Sequence, residues 1–297
     1  MARALLIANP VAARTNPDVA DTVRRVFEAA GWSIDLRQTS VAEDTRRFAK
    51  EAVAGGVDVV AVFGGDGTTM QAASALVGTD VALGLVPGGT GNVLAGNLRL
   101  PLGPVQAAEL ILRGRPRRID LGLLENAVGQ RYFGVACGAG ADARVMGGTG
   151  TEEKRRLGIG GYFNSLFRVM PEIRSRQFAV TVDGRVIERD AALVMVLNCG
   201  EVIPPLVRVH RETALDDGLF DVLIIDADTP WEAARSLVRA LANVALDAGE
   251  TPYLTYARGR QVRVEAHPAE PAQFDGDLYG ETPFTATVVP GAIRVLV

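Results

Sequence analysis

Cysteine, histidine and lysine are scarce in this sequence of 297 residues, and each scarcity excludes a class of protein. Two cysteines are too few for a disulfide framework, and no Cys-x-x-Cys pair or Cys/His cluster suggests a zinc site. Lysine occurs only at positions 50 and 154, and no polybasic segment is present that would hold the chain on an anionic membrane. This cysteine usage fits a reducing, intracellular compartment.

Net charge and hydropathy exclude further classes. The net charge is −4 at pH 7 and the isoelectric point is about 5.4, so we expect no general affinity for nucleic acid. No apolar run reaches the roughly 18 residues that a membrane-spanning helix needs, and the apolar segment that begins at Ala4 is too short for a secretion signal. We therefore expect a cytoplasmic protein whose contact with the inner face of a membrane is peripheral.

Short apolar segments alternate with amphipathic ones over the first third of the chain. Strands are predicted at residues 4–8, 33–37, 57–63 and 81–86, and helices at 18–30, 41–54, 68–76 and near 105–113. Apolar strands separated by helices indicate a parallel sheet that is covered on both faces. Such sheets bind their ligands at the carboxyl ends of the strands, which directs attention to the residues that follow each strand.

After about residue 117 the pattern changes to short strands separated by turns. Strands are predicted at 118–124, 132–136, 178–182, 192–197, 220–226, 261–266 and 284–288, and helices at 158–170 and 231–246. Asp-Gly pairs such as Asp183-Gly184 and Asp275-Gly276 favour tight turns between antiparallel strands. The sequence therefore predicts a second, mainly antiparallel domain that begins near residues 115–120.

Two glycine-rich loops follow neighbouring predicted strands and open helices. They are Gly64-Gly65-Asp66-Gly67-Thr68 and Pro87-Gly88-Gly89-Thr90-Gly91-Asn92. Glycine at such a junction lets backbone N–H groups approach an anion, and the helix N-terminus adds its positive dipole. Asp66 would repel a bare phosphate, so a divalent cation is expected between the carboxylate and the phosphate. Together the loops predict binding of nucleotide phosphates and a metal ion, and hence phosphoryl transfer.

Five segments of the chain form a recognisable series: Asn9-Pro10, the two glycine-rich loops, residues 215–221 (LDDGLFD) and residues 274–277 (FDGD). In this order they resemble the diacylglycerol kinase catalytic-domain family, which includes bacterial lipid kinases and sphingosine and ceramide kinases. The resemblance implies an α/β plus β fold with its active site in the cleft between two domains. The α/β nucleotide-binding domain, similar to those of NAD kinase and phosphofructokinase, comprises residues 1–118 and a return at 290–297. The β-sandwich lipid-substrate domain comprises residues 119–289.

The resemblance also implies the activity: an ATP- and Mg²⁺-dependent lipid kinase that phosphorylates the hydroxyl of a diacylglycerol-like or sphingoid lipid at a membrane surface. It implies no nucleic-acid partner and no obligate protein partner, and a homodimer is compatible with it. The residues implied to bind the nucleotide are Asn9, Pro10, Thr39, Gly64, Gly65, Asp66, Gly67, Thr68, Gly88, Gly89, Thr90, Asn92 and Asp277.

Acidic residues carry the chemistry that the resemblance implies. Asp275 is the candidate general base for the lipid hydroxyl, and Asp66 competes with it because some relatives assign this role to the GGDG aspartate. Asp66 is also the first candidate ligand of Mg²⁺, and Asp217 is carried over to a second, structural metal site. Relatives usually read Asp-Gly-Glu where this chain has Asp275-Gly276-Asp277.

The chain departs from the family pattern where the lipid would enter, notably at residues 133–143 and 198–205, so the acceptor lipid stays open. An apolar stripe at residues 162–170 is explained either by core packing or by contact with acyl chains. Two other functions also stay open. One is an NAD kinase, which shares the GGDG loop but is disfavoured by the PGGTGN loop, and the other is a non-catalytic nucleotide-binding regulator of the same fold.

Overall fold

The computed structural model describes residues 2–13, 15–41, 43–140, 175–203, 207–208, 213–226, 232 and 254–297. The chain divides into two compact units. Unit 1 comprises Met1–Ile119 and Gly291–Val297, and unit 2 comprises Asp120–Pro290. The helices predicted at 158–170 and 231–246, with the apolar stripe of the first, lie outside the described residues. No helix within the described ranges is long and apolar enough to span a membrane.

Unit 1 is an α/β unit built on a parallel sheet. Along the chain its elements are β1 (Arg3–Ala8), α1 (Pro17–Ala29), β2 (Ser33–Gln38), α2 (Asp44–Ala54), β3 (Val59–Gly64), α3 (Asp66–Leu76), β4 (Ala82–Pro87), α4 (Val93–Asn97) and α5 (Pro104–Arg113). The strands lie in the order β2-β1-β3-β4, all parallel. Every residue of β3 and β4 is buried, as expected for strands with both faces covered.

Unit 2 consists mainly of antiparallel strands. They are β5 (Pro116–Asn126), which begins in unit 1, β6 (Gly129–Phe133), β7 (Ala136–Gly140), β8 (Arg176–Val182), β9 (Arg185–Ala191), β10 (Leu193–Leu197), β11 (Glu201–Ile203), β12 (Val207–Arg208), β13 (Phe220–Ile225), β14 (Leu254–Gly259), β15 (Gln261–His267), β16 (Pro271–Phe274), β17 (Asp277–Glu281) and β18 (Phe284–Leu296), which ends in unit 1. One sheet has the order β14-β13-β10-β7-β16-β17. A second set of antiparallel strands pairs as β18-β15-β8-β9.

The apolar faces of these two sets of strands share one core, which makes unit 2 a β-sandwich. Phe133 of β6 stacks on Phe220 of β13 with ring centroids 5.5 Å apart. Val180 of β8 and Val264 of β15, in the second set, belong to the same buried cluster as Phe220 of β13, in the first sheet. The predicted fold class, an α/β domain followed by a mainly antiparallel β-sandwich, is therefore confirmed.

Strand β18 also contributes to unit 1. Its residues Arg294 and Val295 pair in parallel with Ala82 and Leu83 of β4. Residues 291–297 thus extend the parallel sheet of unit 1 beyond β4.

One predicted strand is two strands in the structure. The segment 132–136 was expected to be continuous, but β6 ends at Phe133 and β7 begins at Ala136. The reason is a distant side chain: the carboxylate of Asp275 accepts hydrogen bonds from the N–H groups of residues 134, 135 and 136. Because these three N–H groups donate to a carboxylate, they are not available for hydrogen bonds to a neighbouring strand, and the strand is interrupted.

Candidate active site

The parallel strand order brings four segments that were predicted to bind the nucleotide side by side in unit 1: Thr39, Asn9-Pro10 and the two glycine-rich loops. Because β1 lies between β2 and β3, and β3 lies next to β4, the residues that follow these strands stand at one edge of the sheet. The N–H of Thr39 donates to the carbonyl of Ala8 over 2.9 Å, and the N–H of Asn9 donates to that of Phe63 over the same distance. Pro10, beside Asn9, is exposed.

The first glycine-rich loop is tied to the end of β1. Asn9 Nδ2 donates to Thr68 Oγ1 over 2.9 Å, so two residues predicted to bind the nucleotide bind each other. Gly64 is required beneath this contact, since a Cβ built on it would lie 2.8 Å from the Cβ of Thr68. Gly65 caps α3 in an extended conformation without a side-chain bond, so the first turn of the helix lacks a side-chain acceptor at this cap.

The second loop packs on the first, backbone against backbone. The N–H of Gly88 donates to the carbonyl of Gly64 over 2.8 Å. A Cβ built on Gly89 would lie 2.7 Å from the Cα of Gly65, a separation that only glycine avoids. Asn92 closes the loop: its Oδ1 accepts from the N–H of Gly89 over 2.9 Å, and its Nδ2 donates to the Gly89 carbonyl over 2.8 Å.

Asp66 connects the two loops. It occupies the first turn of α3, and its Oδ1 accepts from the N–H of Leu94, in α4, over 3.4 Å. Burial raises the pKa of the Asp66 carboxyl, against the opposing effect of the N–H groups of Leu94, Val93 and Asn92. The carboxylate therefore stands at the beginning of two helices in an environment that disfavours an uncompensated negative charge. Thr90, on the same loop as Asn92, is exposed.

Asp275, in unit 2, holds a chain segment in place. It lies in the turn between β16 and β17 with a φ of 44°. Its Oδ2 accepts from the N–H of Gly134 over 2.8 Å, and its Oδ1 accepts from those of Val135 and Ala136 over 2.8 and 3.0 Å. Both oxygens of the predicted general base are thus used to fix residues 134–136. Asp277, two residues later, is exposed.

Asp217, predicted to bind a structural metal, is held by an arginine. Its Oδ2 lies 2.7 Å from Nη2 of Arg258, and its oxygens also accept from the N–H groups of Ala214 and Leu219 over 3.1 and 2.9 Å. Arg258 Nε lies 3.0 Å from Oδ1 of Asp221, which is fully buried. These are the contacts of a carboxylate neutralised by a guanidinium.

Two buried polar residues, one of which contacts the residue after Asp217, are not among the site residues predicted from the sequence. Asp120 is 3 % exposed, and its Oδ2 accepts from the N–H of Gly218 over 2.7 Å. Asn198 Nδ2 donates to the carbonyls of Asp120 and Gly134 over 3.1 and 3.0 Å. A usable signal was present for the first, because Asp120 interrupts an apolar run in β5.

Mg²⁺ fits Asp66 better than Asp217. In the ranges that the structure describes, no three Asp, Glu, His or Cys residues are grouped as a metal site. Mg²⁺ that arrives with a nucleotide needs only one or two protein carboxylates, because phosphates and water complete its shell. Asp66, whose negative charge is disfavoured by burial, meets that need, whereas the charge of Asp217 is already neutralised by Arg258.

Two family models match most of the chain. Residues 3–124 match the diacylglycerol kinase catalytic domain. Residues 135–297 match the YegS C-terminal NAD kinase beta sandwich-like domain. The boundary between the two matches falls within β5 to β7.

Full-length relatives agree with the family models. A protein named "Probable lipid kinase YegS-like" from Chromohalobacter salexigens is 31% identical over 291 residues, covering 93% of this chain and 88% of the relative. A diacylglycerol kinase from Mycobacterium tuberculosis H37Rv is 30% identical over 264 residues, covering 86% of this chain and 82% of the relative. A crystal structure of a diacylglycerol kinase from Bacillus anthracis has the same fold, with a TM-score of 0.76 at 20% identity, covering 99% of this chain and 96% of that one.

Proposed function

This chain belongs to the diacylglycerol kinase family and is a kinase, and we propose that it transfers phosphate from ATP, with Mg²⁺, to the hydroxyl of a diacylglycerol-like or sphingoid lipid. The observation that carries the proposal is the contact between the two glycine-rich loops, with Asp66 between them. Phosphoryl transfer needs mainly positioning and neutralisation of charge. Loops that present backbone donors at the start of helices supply both.

In this proposal unit 1 binds the nucleotide phosphates. The N–H groups of Gly88 and Gly89 already donate to Gly64 and Asn92, so the loop offers its exposed part, Thr90 and Gly91, to the nucleotide. Asn9 and Thr68 keep the first loop fixed. Mg²⁺, when bound, neutralises phosphate charge, and Asp66 would hold it. The raised pKa of Asp66 fits this role, because a nearby cation compensates a buried carboxylate.

The proton of the lipid hydroxyl goes to Asp66 or to Asp275, and two variants decide between them. Asp66→Asn should lower kcat by about 10²-fold or more in either case, because Asp66 would also hold Mg²⁺, so its loss sets the scale for the second variant. Asp275→Asn should first destabilise unit 2, because three backbone donors lose their carboxylate. A folded Asp275→Asn protein that loses kcat as severely as Asp66→Asn would assign the proton to Asp275.

The test of the whole proposal is transfer of labelled γ-phosphate from ATP and Mg²⁺ to a detergent-dispersed panel of diacylglycerol, monoacylglycerol, ceramide and sphingosine. We expect one labelled lipid product. NAD belongs in the same panel, because the family model that matches residues 135–297 is described as NAD kinase beta sandwich-like. Labelled NADP without a labelled lipid would replace the proposal with an NAD kinase. Mg²⁺-dependent ATP binding without any product would contradict lipid phosphorylation.

The proposal places catalysis at a membrane surface, at the inner face of the cytoplasmic membrane, without an obligate protein partner. Vesicles that contain the acceptor lipid supply the check. The chain should sediment with them more strongly in the presence of the acceptor than with acceptor-free vesicles of the same charge. Equal sedimentation would refute recruitment by the substrate.

A further inference from the structure

Thr15 has a buried hydroxyl beside the second glycine-rich loop. The residue is 7 % exposed, and among the residues that the structure describes its Oγ1 has no hydrogen-bond partner. A Cβ built on Gly88 would lie 2.4 Å from this Oγ1 and 3.1 Å from the ring of Phe63. The hydroxyl therefore faces the backbone of the Gly88 loop directly.

The position of Thr15 is fixed by two successive turns. The N–H of Ala12 donates to the carbonyl of Asn9, and the N–H of Thr15 donates to that of Ala12, each over 3.1 Å. Asn9 is itself tied to Thr68. The backbone of Thr15 is thus held by the turns that follow Asn9, while its side chain reaches the second glycine-rich loop.

A buried hydroxyl without a partner is unfavourable, and folded proteins keep few such groups. Each exception calls for an explanation, such as strain, a catalytic role or a bound water or ion, and at a proposed ligand site a ligand atom is a further explanation. At a proposed nucleotide site, a charged phosphate oxygen is an acceptor to which the hydroxyl can donate.

We propose that Thr15 is a further nucleotide-positioning residue, whose hydroxyl donates a hydrogen bond to a phosphate oxygen of the nucleotide at the Gly88 loop. The inference rests on the proposed function, since it requires a nucleotide at that loop. Glycine at position 88 leaves room for this hydroxyl, because a Cβ there would lie 2.4 Å from Thr15 Oγ1.

The test compares Thr15→Val, which removes the hydroxyl at nearly constant shape, with Thr15→Ser, which keeps it. Calorimetry with ADP and ATP should show affinity about tenfold or more lower for Thr15→Val, as expected for a lost bond to a charged group. Thr15→Ser should stay within about threefold of the wild type. Without nucleotide, Thr15→Val should unfold at the same or a higher urea concentration, because it loses an unpartnered polar group.

Thr79→Val is the matched control, because the Thr79 hydroxyl donates to the carbonyl of Leu76 over 2.8 Å, just beyond the far end of α3. It should lower stability and leave affinity unchanged. Thr15→Ala, a second variant without a hydroxyl, should repeat the loss of affinity if Thr15→Val does not fold.

Unchanged affinity in the folded Thr15 variants would overturn the inference and assign the hydroxyl to a bound water. Lower stability without nucleotide together with unchanged affinity would assign it a structural role. A folded wild-type protein that binds neither ADP nor ATP would overturn the proposed function as well, so the two failures are distinguishable.

Discussion

Arg258 neutralises a fully buried carboxylate in unit 2, and its removal should strongly destabilise that unit. Its Nε lies 3.0 Å from Asp221 Oδ1, and its Nη2 lies 2.7 Å from Asp217 Oδ2. Asp221 also accepts hydrogen bonds from the hydroxyls of Thr213 and Tyr256. Without the guanidinium, two neutral donors would face a negative charge that water does not reach.

The variant Arg258→Met keeps the aliphatic stem and removes the charge. Removing one partner of a buried pair costs about 3–5 kcal/mol, because the other charge stays buried. We expect the lower part of that range, since the side chain of Arg258 is 23% exposed. For a unit of this size each kcal/mol lowers Tm by about 2–4 °C, so Tm should fall by about 6 °C or more.

Urea unfolding of the wild type, Arg258→Met, Asp221→Asn and the double variant measures the effect. The double variant should recover more than half of the loss, because the fully buried charge of Asp221 is then removed and only the partly exposed Asp217 lacks its guanidinium. Arg263→Met is the matched control: Arg263 pairs with Glu265 at the surface over 2.8 Å, and such pairs contribute about 0–1 kcal/mol.

Two results would refute this reasoning. One is a loss below about 1 kcal/mol for Arg258→Met, equal to that of the surface control. The other is recovery of Arg258→Met by Mg²⁺, with reversal by a chelator. That second result would show that a divalent cation can replace the guanidinium between Asp217 and Asp221.

Three further variants test unit 1. In Gly89→Ala the new Cβ would lie 2.7 Å from the Cα of Gly65, so calorimetry should detect no nucleotide binding by a protein that still unfolds cooperatively. Hydrogen bonds from the N–H of Ser40 and from the guanidinium of Arg47 hold the pKa of Asp44 at about 2, below its usual 3.8. The ionised Asp44 carboxylate stabilises the folded protein above pH 4, and this contribution is lost as the pH falls towards 2. The urea midpoints of the wild type and Asp44→Asn should therefore converge between about pH 4 and pH 2. Burial raises the pKa of Asp66, so its ionised form opposes folding; Asp66→Asn should raise Tm at pH 8, and this gain should shrink as the pH falls.

Each of these variants has its own contradicting result. For Gly89→Ala, the stability control is Gly67→Ala, because a Cβ at Gly67 would have no neighbour within 4 Å; wild-type affinity in Gly89→Ala would show that the loops tolerate a shift. For Asp44, a difference between the midpoints that stays constant down to pH 2 would show that the carboxylate contributes nothing. For Asp66, a lower Tm in the variant at pH 8 would show that the ionised carboxylate stabilises the fold.

Local signals made the fold class and both glycine-rich loops predictable. Apolar segments of strand length, helices between them and glycine at the junctions are all read within a few residues. Helix α4 was not predicted, because the Leu94 N–H in its first turn is accepted by Asp66, 28 residues earlier in the chain. The break at residues 134–135 depends on Asp275, about 140 residues away. Strand β9 is mostly exposed and polar, so it lacks the apolar signal.

The candidate site shows the same division. The spacing of residues in the sequence identified Asp66 and the glycines around it, because the loop pattern that marks them spans only a few consecutive residues. It could not show that Asp217 meets Arg258, or that the hydroxyl of Thr15 faces Gly88, because each of these pairs joins distant parts of the chain. Sequence position names the residue types that a site needs, while tertiary contacts decide which atoms are already engaged.

The path of β18 has a consequence for the order in which the protein matures during synthesis. Unit 1 begins with residue 1, but the strand that pairs with the free side of β4 contains Arg294 and Val295. On the ribosome, the free edge of β4 in the parallel sheet of unit 1 therefore stays unpaired until the whole of unit 2 has been translated. An unpaired parallel edge is a template for wrong strand pairing. Nascent chains stalled before residue 291 should accordingly depend on chaperones more than the released protein does.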